Sequence, residues 1–107
     1  MIYDPSGQKR GIVDEASMVS ADLTLTQNFP NPFKTFTTLI ASLPEEGDVE
    51  LAVYDVRGRK MEVLLSGRLS ARSWEVEWRA EGMPSGIYVA RLKFKGSTKT
   101  VKMVVAR

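Results

Sequence analysis

The chain contains no cysteine and no histidine among its 107 residues. Disulfides and thiolate chemistry are therefore absent, zinc sites of the usual Cys/His type are excluded, and so is the side chain most used as a general base near neutral pH. The lack of cysteine leaves the compartment open. No apolar run approaches the roughly 20 residues that span a bilayer as a helix, so direct membrane insertion is not expected. Charge of one sign is also scarce: the formal net charge is only +2, too little to imply whole-molecule attraction to nucleic acid. No glycine-rich phosphate loop occurs. No stretch carries a convincing helical period, and Met1–Arg10 shows no apolar core of a signal peptide. If the domain is exported, a larger parent is expected to carry the signal.

What is present is a period of two. Residues 1–21 read as a linker or flexible arm, with turn chemistry at Asp4-Pro5-Ser6-Gly7 and only scattered apolar residues. Leu23–Thr26 predicts a short opening strand. Leu39, Ala41 and Leu43 share a face, as do Val49, Leu51 and Val53, then Met61, Val63 and Leu65. Trp74, Val76 and Trp78 alternate with Glu75, Glu77 and Arg79 as a half-buried strand, tryptophans inward. Met83-Pro84-Ser85-Gly86 fits a type I turn. Ile87–Lys95 and Thr98–Ala106 predict a hairpin across Gly96-Ser97. Six or seven short strands bounded by glycine or proline predict an all-β fold, an immunoglobulin-like antiparallel β-sandwich of about seven strands over residues 22–107.

Candidate chemistry is thin. Glu45, Glu46, Asp48 and Glu50 cluster at one turn but lack the spaced ligands of a calcium loop. Glu75 and Glu77 share a strand face about 7 Å apart, within the range of glycosidase carboxylate pairs, yet nothing beside them is suited to raise a pKa. No catalytic residue, metal site or cofactor is expected. Two features stand out instead. Asn28-Phe29-Pro30-Asn31-Pro32-Phe33 excludes helix and central strand, since its prolines fix φ and remove two donors; its flanking phenylalanines suit it to anchoring by buried rings. After Gly86 every charged side chain is basic: Arg91, Lys93, Lys95, Lys99, Lys102 and Arg107. Lysines on a terminal strand protect an edge from aggregation, or they form a docking surface for an acidic partner or an anionic membrane surface; nucleic acid is a poor third reading.

Four blocks resemble the C-terminal sorting domain of type IX secretion substrates, also called the Por secretion system C-terminal sorting domain. Leu25–Phe33, with Asn28, Pro30, Asn31, Pro32 and Phe33, is similar to its opening L-x-Q-N-Y-P-N-P-F. Leu51–Arg59, with Tyr54, Asp55 and Gly58, resembles L-x-V-Y-D-x-x-G-R. Met83–Tyr88, with Pro84, Ser85, Gly86 and Tyr88, resembles L-P-S-G-V-Y, and Lys102-Met103-Val104-Val105 resembles K-M-V-L. Lys34-Thr35-Phe36 and Arg72 depart from the family pattern. The resemblance implies a non-catalytic address on a larger exported protein, with the cargo N-terminal to this chain. It implies recognition by the type IX outer-membrane translocon, and in many members cleavage by a sortase-like peptidase with anchoring of cargo to lipopolysaccharide. Passage through the periplasm to the cell surface or medium follows. The residues expected to meet the translocon are Lys99, Lys102, Met103, Val104, Val105 and Arg107, with Pro30–Phe33 supporting that end. Two other functions fit the residues: an accessory module binding carbohydrate or protein, for which Tyr3, Phe36 and Tyr88 are the candidate rings, and a structural spacer like the domain of flagellar hook-capping proteins.

Overall fold

A computed structural model of the chain describes residues 22–107; the expected linker over residues 1–21, Tyr3 included, lies outside them. Seven strands form: β1 Thr24–Leu25, β2 Phe36–Ser42, β3 Gly47–Tyr54, β4 Lys60–Leu69, β5 Ser73–Arg79, β6 Gly86–Phe94 and β7 Ser97–Val105. They make two antiparallel sheets, ordered β1-β2-β5 and β4-β3-β6-β7. Among the described residues there is no helix. The β-sandwich expected from the two-residue period is the observed fold.

The alternation explains the core. Leu39 and Ala41 on β2, Leu51 and Val53 on β3, Ala90 and Leu92 on β6, and Met103 and Val105 on β7 are all buried in one cluster between the sheets. Trp78 on β5 is fully buried, while Trp74 and Val76 pack against the core from its margin. Glu75 and Glu77 point to solvent.

Four local expectations are corrected. Met61, Val63 and Leu65 do not share a face. Leu51 pairs with Leu65 but Ala52 pairs with Val63, and Val53 pairs with Glu62 but Tyr54 with Lys60. Each shift inserts one extra residue, Leu64 and then Met61, and a bulge flips the residues that follow it. Val63 is therefore carried to the outer face and is exposed. The β6–β7 turn falls one residue early: Lys95 and Gly96 take φ of 48° and 81°, the pair of positive values that a two-residue type I′ hairpin requires. The hydrogen-bonded turn near Met83 lies over Glu81-Gly82, where the Met83 N–H donates to the Ala80 carbonyl at 3.0 Å, and Met83–Gly86 leads into β6 with a bend at Ser85 and no turn hydrogen bond of its own. Finally, only one phenylalanine of the proline motif is anchored: Phe33 is buried and Phe29 is 79% exposed.

Candidate functional site

The proline motif closes the edge of the last strand. β7 lies at the end of its sheet, so every second residue turns its N–H and C=O outward with no strand to meet them. From the Lys102 carbonyl to the Ala106 N–H those groups are taken. Gln27 Nε2 donates to the Lys102 carbonyl at 2.8 Å, and the Val104 N–H donates to Asn31 Oδ1 at 2.8 Å. The Phe33 N–H donates to the Val104 carbonyl at 3.0 Å, and the Ala106 N–H donates to the Phe33 carbonyl at 2.8 Å. Phe33 thus forms a parallel bridge with Val105. Asn31 does with its side chain what a strand would do with its backbone, which suits a segment whose prolines have no N–H to offer.

A buried polar knot holds the cap. Asn28 and Thr37 are the buried polar residues of the described chain. Asn28 Nδ2 donates to Thr37 Oγ1 at 3.0 Å and to the Pro30 carbonyl at 3.2 Å. Thr37 Oγ1 donates to the same carbonyl at 2.7 Å, and Asn28 Oδ1 accepts from Gln27 Nε2 at 2.6 Å. Burial demands such pairing. Both Phe29-Pro30 and Asn31-Pro32 bonds are cis.

Beneath the cap, rings from two motif blocks meet a tryptophan of β5. Trp78 lies 5.5 Å from Phe33 and 5.3 Å from Tyr88, both edge-on. The Tyr88 hydroxyl donates to the Pro84 carbonyl at 2.8 Å, the geometry of a tyrosine corner in immunoglobulin-like sandwiches. Gly86 pairs with Val105. Ser85 Oγ accepts the Arg107 N–H at 3.1 Å, Arg107 Nε donates to the Met83 carbonyl at 2.8 Å, and its terminal nitrogen donates to the Ala80 carbonyl. Tyr54 pairs with Val89, so the turn after it projects at this same end. In that turn Gly58, at φ 84°, follows a hydrogen bond from its own N–H to the Asp55 carbonyl. Asp55 Oδ1 accepts the N–H groups of Arg57 and Arg59 at 2.9 and 3.0 Å, and Oδ2 accepts Arg59 Nε at 2.7 Å. All four motif blocks therefore surround the C-terminal end of β7.

The Asp55 carboxylate is held below its ordinary pKa chiefly by the Arg59 backbone N–H; burial opposes this as the next-largest effect, and the Arg59 side chain and the Arg57 N–H lower it further. A lowered folded value means that the turn is stabilised above the unfolded pKa of about 3.9 and loses that support as pH falls through the folded value. The melting temperatures of the wild type and Asp55→Asn should differ at pH 7 and converge below about pH 4.

The residues expected to meet a partner separate into two groups. Met103 and Val105 are buried, so their side chains serve closure of the fold; Arg107 is exposed, with its guanidinium hydrogen-bonded to the carbonyls of the Ala80–Met83 turn. Val104 is half-buried, and Lys99 and Lys102 are exposed. The two lysines do not share a face. Lys99 pairs with Leu92, in phase with the core, and Lys102 pairs with Val89 on the outer face. Lys102 there joins Arg91 and Lys93, which pair with Thr100 and Thr98 and alternate with buried Leu92. Arg91 lies 4.1 Å above the Tyr54 ring. On the same face Lys60 Nζ meets Glu50 Oε2 at 2.9 Å, and that hydrogen bond is the main reason the Glu50 pKa is lowered. This grouping was legible in parity alone, because odd positions of one strand face even positions of the next across a two-residue hairpin. Gln27 and Thr37 carried no such signal, since Gln27 acts once β7 is docked and Thr37 once the proline segment has folded over β2.

The acidic turn is an ion-pair girdle. Glu45 meets Lys95 at 3.1 Å and Glu46 meets Arg68 at 3.5 Å. Among the described residues no three metal-ligating side chains converge. Glu77 pairs with Arg79 at 3.1 Å. Tyr88, a candidate ring for sugar stacking, is buried, and Phe36 has Arg79 over its face at 5.2 Å.

Comparison with curated proteins gives no match. The family model described as the secretion system C-terminal sorting domain matches residues 27–106, a span that runs from Gln27 at the cap to Ala106, whose N–H is bound by Phe33. With that span matched and its motif blocks gathered around one strand end, the chain belongs to the C-terminal sorting domains of type IX secretion, sorting signals for export to the cell surface or beyond.

Proposed function

We propose that the type IX outer-membrane translocon recognises this domain in its folded state through the basic outer face beside β7. The cargo precedes the domain in the parent protein, and a sortase-like peptidase releases it. The capped C-terminal end of β7 supports this reading above all. With the Lys102 carbonyl, both backbone groups of Val104 and the Ala106 N–H taken by Gln27, Asn31 and Phe33, that end of the strand offers no free row of groups for strand addition. The partner reads side chains on a shape, and the charged ones beside β7 on this face, exposed Lys93 and Lys102 and half-buried Arg91, are basic. Lys102, Arg91 and Lys93 supply the shared charge; Lys99 stands at the opposite rim.

The test is a reporter fused ahead of this domain in a type IX-competent host. Reversing both charges, Lys99→Glu and Lys102→Glu, should change stability by no more than about 0.5 kcal/mol, as at other exposed sites, while the reporter accumulates in the periplasm. Lys102→Glu alone should cause the larger share of the defect. Undiminished surface display of the folded double variant would show that the lysines act only as edge protection.

A further inference from the structure

The outer face of the three-stranded sheet carries an apolar patch that the fold does not use. Phe29 pairs with Thr38 in an antiparallel bridge, so their side chains project to the same side. Phe36 and Ile40 are two residues either way along β2 and share that side. Exposure is 79% for Phe29, 42% for Phe36 and 37% for Ile40. The next strand sets Arg79, Glu77 and Glu75 opposite Phe36, Thr38 and Ile40. Outer faces of solvated antiparallel sheets are normally polar, and the remaining residues of this face, such as Thr24, Ser42 and Ser73, follow that rule.

Phe29 is also fixed in place. Its N–H donates to the Thr38 carbonyl and its carbonyl accepts the Thr38 N–H, both at 2.9 Å. The next residue is Pro30, whose carbonyl is held by Asn28 and Thr37. An exposed ring on a rigid backbone loses little freedom on binding, which is the property of an interface anchor.

We propose that this face is a second docking surface, occupied by a protein of the type IX outer-membrane machinery that receives Phe29 in an apolar pocket with a basic rim. The assignment rests on the sorting function proposed above and adds a face distinct from the Lys102 side. Charge selects the partner. Arg79 is engaged by Glu77 and lies over the Phe36 ring, so the charge this face presents outside that ion pair is the carboxylate of Glu75. A sugar platform is disfavoured because phenylalanine offers no polar handle, Ile40 is aliphatic, and one face of Phe36 is already covered.

The same reporter fusion tests the assignment. Phe29→Asp should fold with a near-unchanged melting temperature, since only backbone groups of Phe29 hold the bridge. Its surface display should fall at least about tenfold, as expected of a buried interface anchor, while Phe29→Tyr keeps display near the parent level. A photoactivatable benzoylphenylalanine at position 29 should form an adduct with an outer-membrane translocon protein; the same group at Val56, 73% exposed on the β3–β4 turn, should not. Display of Phe29→Asp equal to the parent overturns this assignment alone. So does an adduct to a second copy of the domain, an adduct to lipopolysaccharide, or the same adduct from position 56. A parent reporter that is not displayed at all overturns the sorting function and this assignment together.

Discussion

Truncation of Trp78 to alanine should destabilise the domain by about 3–5 kcal/mol, the range for a fully buried large aromatic. Trp78 has no exposed surface and is the largest of the fully buried side chains. It stands between Phe33 and Tyr88, and each edge-on ring pair adds about 0.5–1.5 kcal/mol beyond simple burial. The surrounding segments cannot collapse into the cavity easily. Phe33 is tied by two backbone hydrogen bonds to β7, and Tyr88 is tied by its hydroxyl to Pro84. A domain of this size has only about 5–15 kcal/mol of stability in total, so the variant should be partly unfolded at 37 °C. Trp78→Phe should lose much less. It keeps a ring in the site and removes an indole N–H that has no hydrogen-bond partner among the described residues. Denaturant titration of the two variants checks both statements, and similar losses for the two would place the stabilising contacts elsewhere.

Deleting Met103–Arg107 should have a still larger effect and abolish cooperative folding. Five residues sound dispensable at a chain end, but two of them, Met103 and Val105, are buried core side chains. A buried methionine truncated to alanine alone costs about 2–5 kcal/mol. The deletion also removes the partners of Gly86, Ile87 and Tyr88 on β6 and leaves Asn31 and Phe33 with nothing to cap. Asn28 and Thr37 would then be exposed with the loosened segment. Arg107→Ala should separate the latch from the strand: it removes the bonds from the guanidinium to the Met83 and Ala80 carbonyls but leaves the core intact. A loss of about 1–2 kcal/mol is expected for such exposed, charge-assisted hydrogen bonds. Thermal unfolding followed by near-ultraviolet circular dichroism distinguishes the two outcomes. A cooperative transition in the deletion variant would mean that the last strand is an appendage. Export defects of such deletions consequently report on folding first, and only substitutions at exposed positions, such as Lys102 or Phe29, report on recognition.

The class of fold, the strand count and most of the core were legible along the chain, because burial on one face of a strand imposes a period of two that survives without any knowledge of pairing. Leu39, Ala41, Leu51, Val53, Trp78 and Leu92 were readable on that ground, and the family followed from motif blocks whose order and spacing are properties of the chain. The tertiary structure alone decided what depends on meetings between distant residues. Two bulges in β4 broke the phase of Met61, Val63 and Leu65, since an extra residue costs a strand little but reverses the side of everything beyond it. The register of β6 and β7 set Lys102 opposite Val89, although the parity that separates it from Lys99 and groups it with Arg91 and Lys93 was already readable along the chain. Of two similar phenylalanines around the same prolines, Phe33 went to the core and Phe29 to solvent, because the segment runs along β7 at one end and across β2 at the other. Nor could local sequence disclose that the proline motif caps the final strand. Its bonds join Gln27, Asn31 and Phe33 to Lys102, Val104 and Ala106, and such contacts come into being only when both ends of the domain have folded onto one edge.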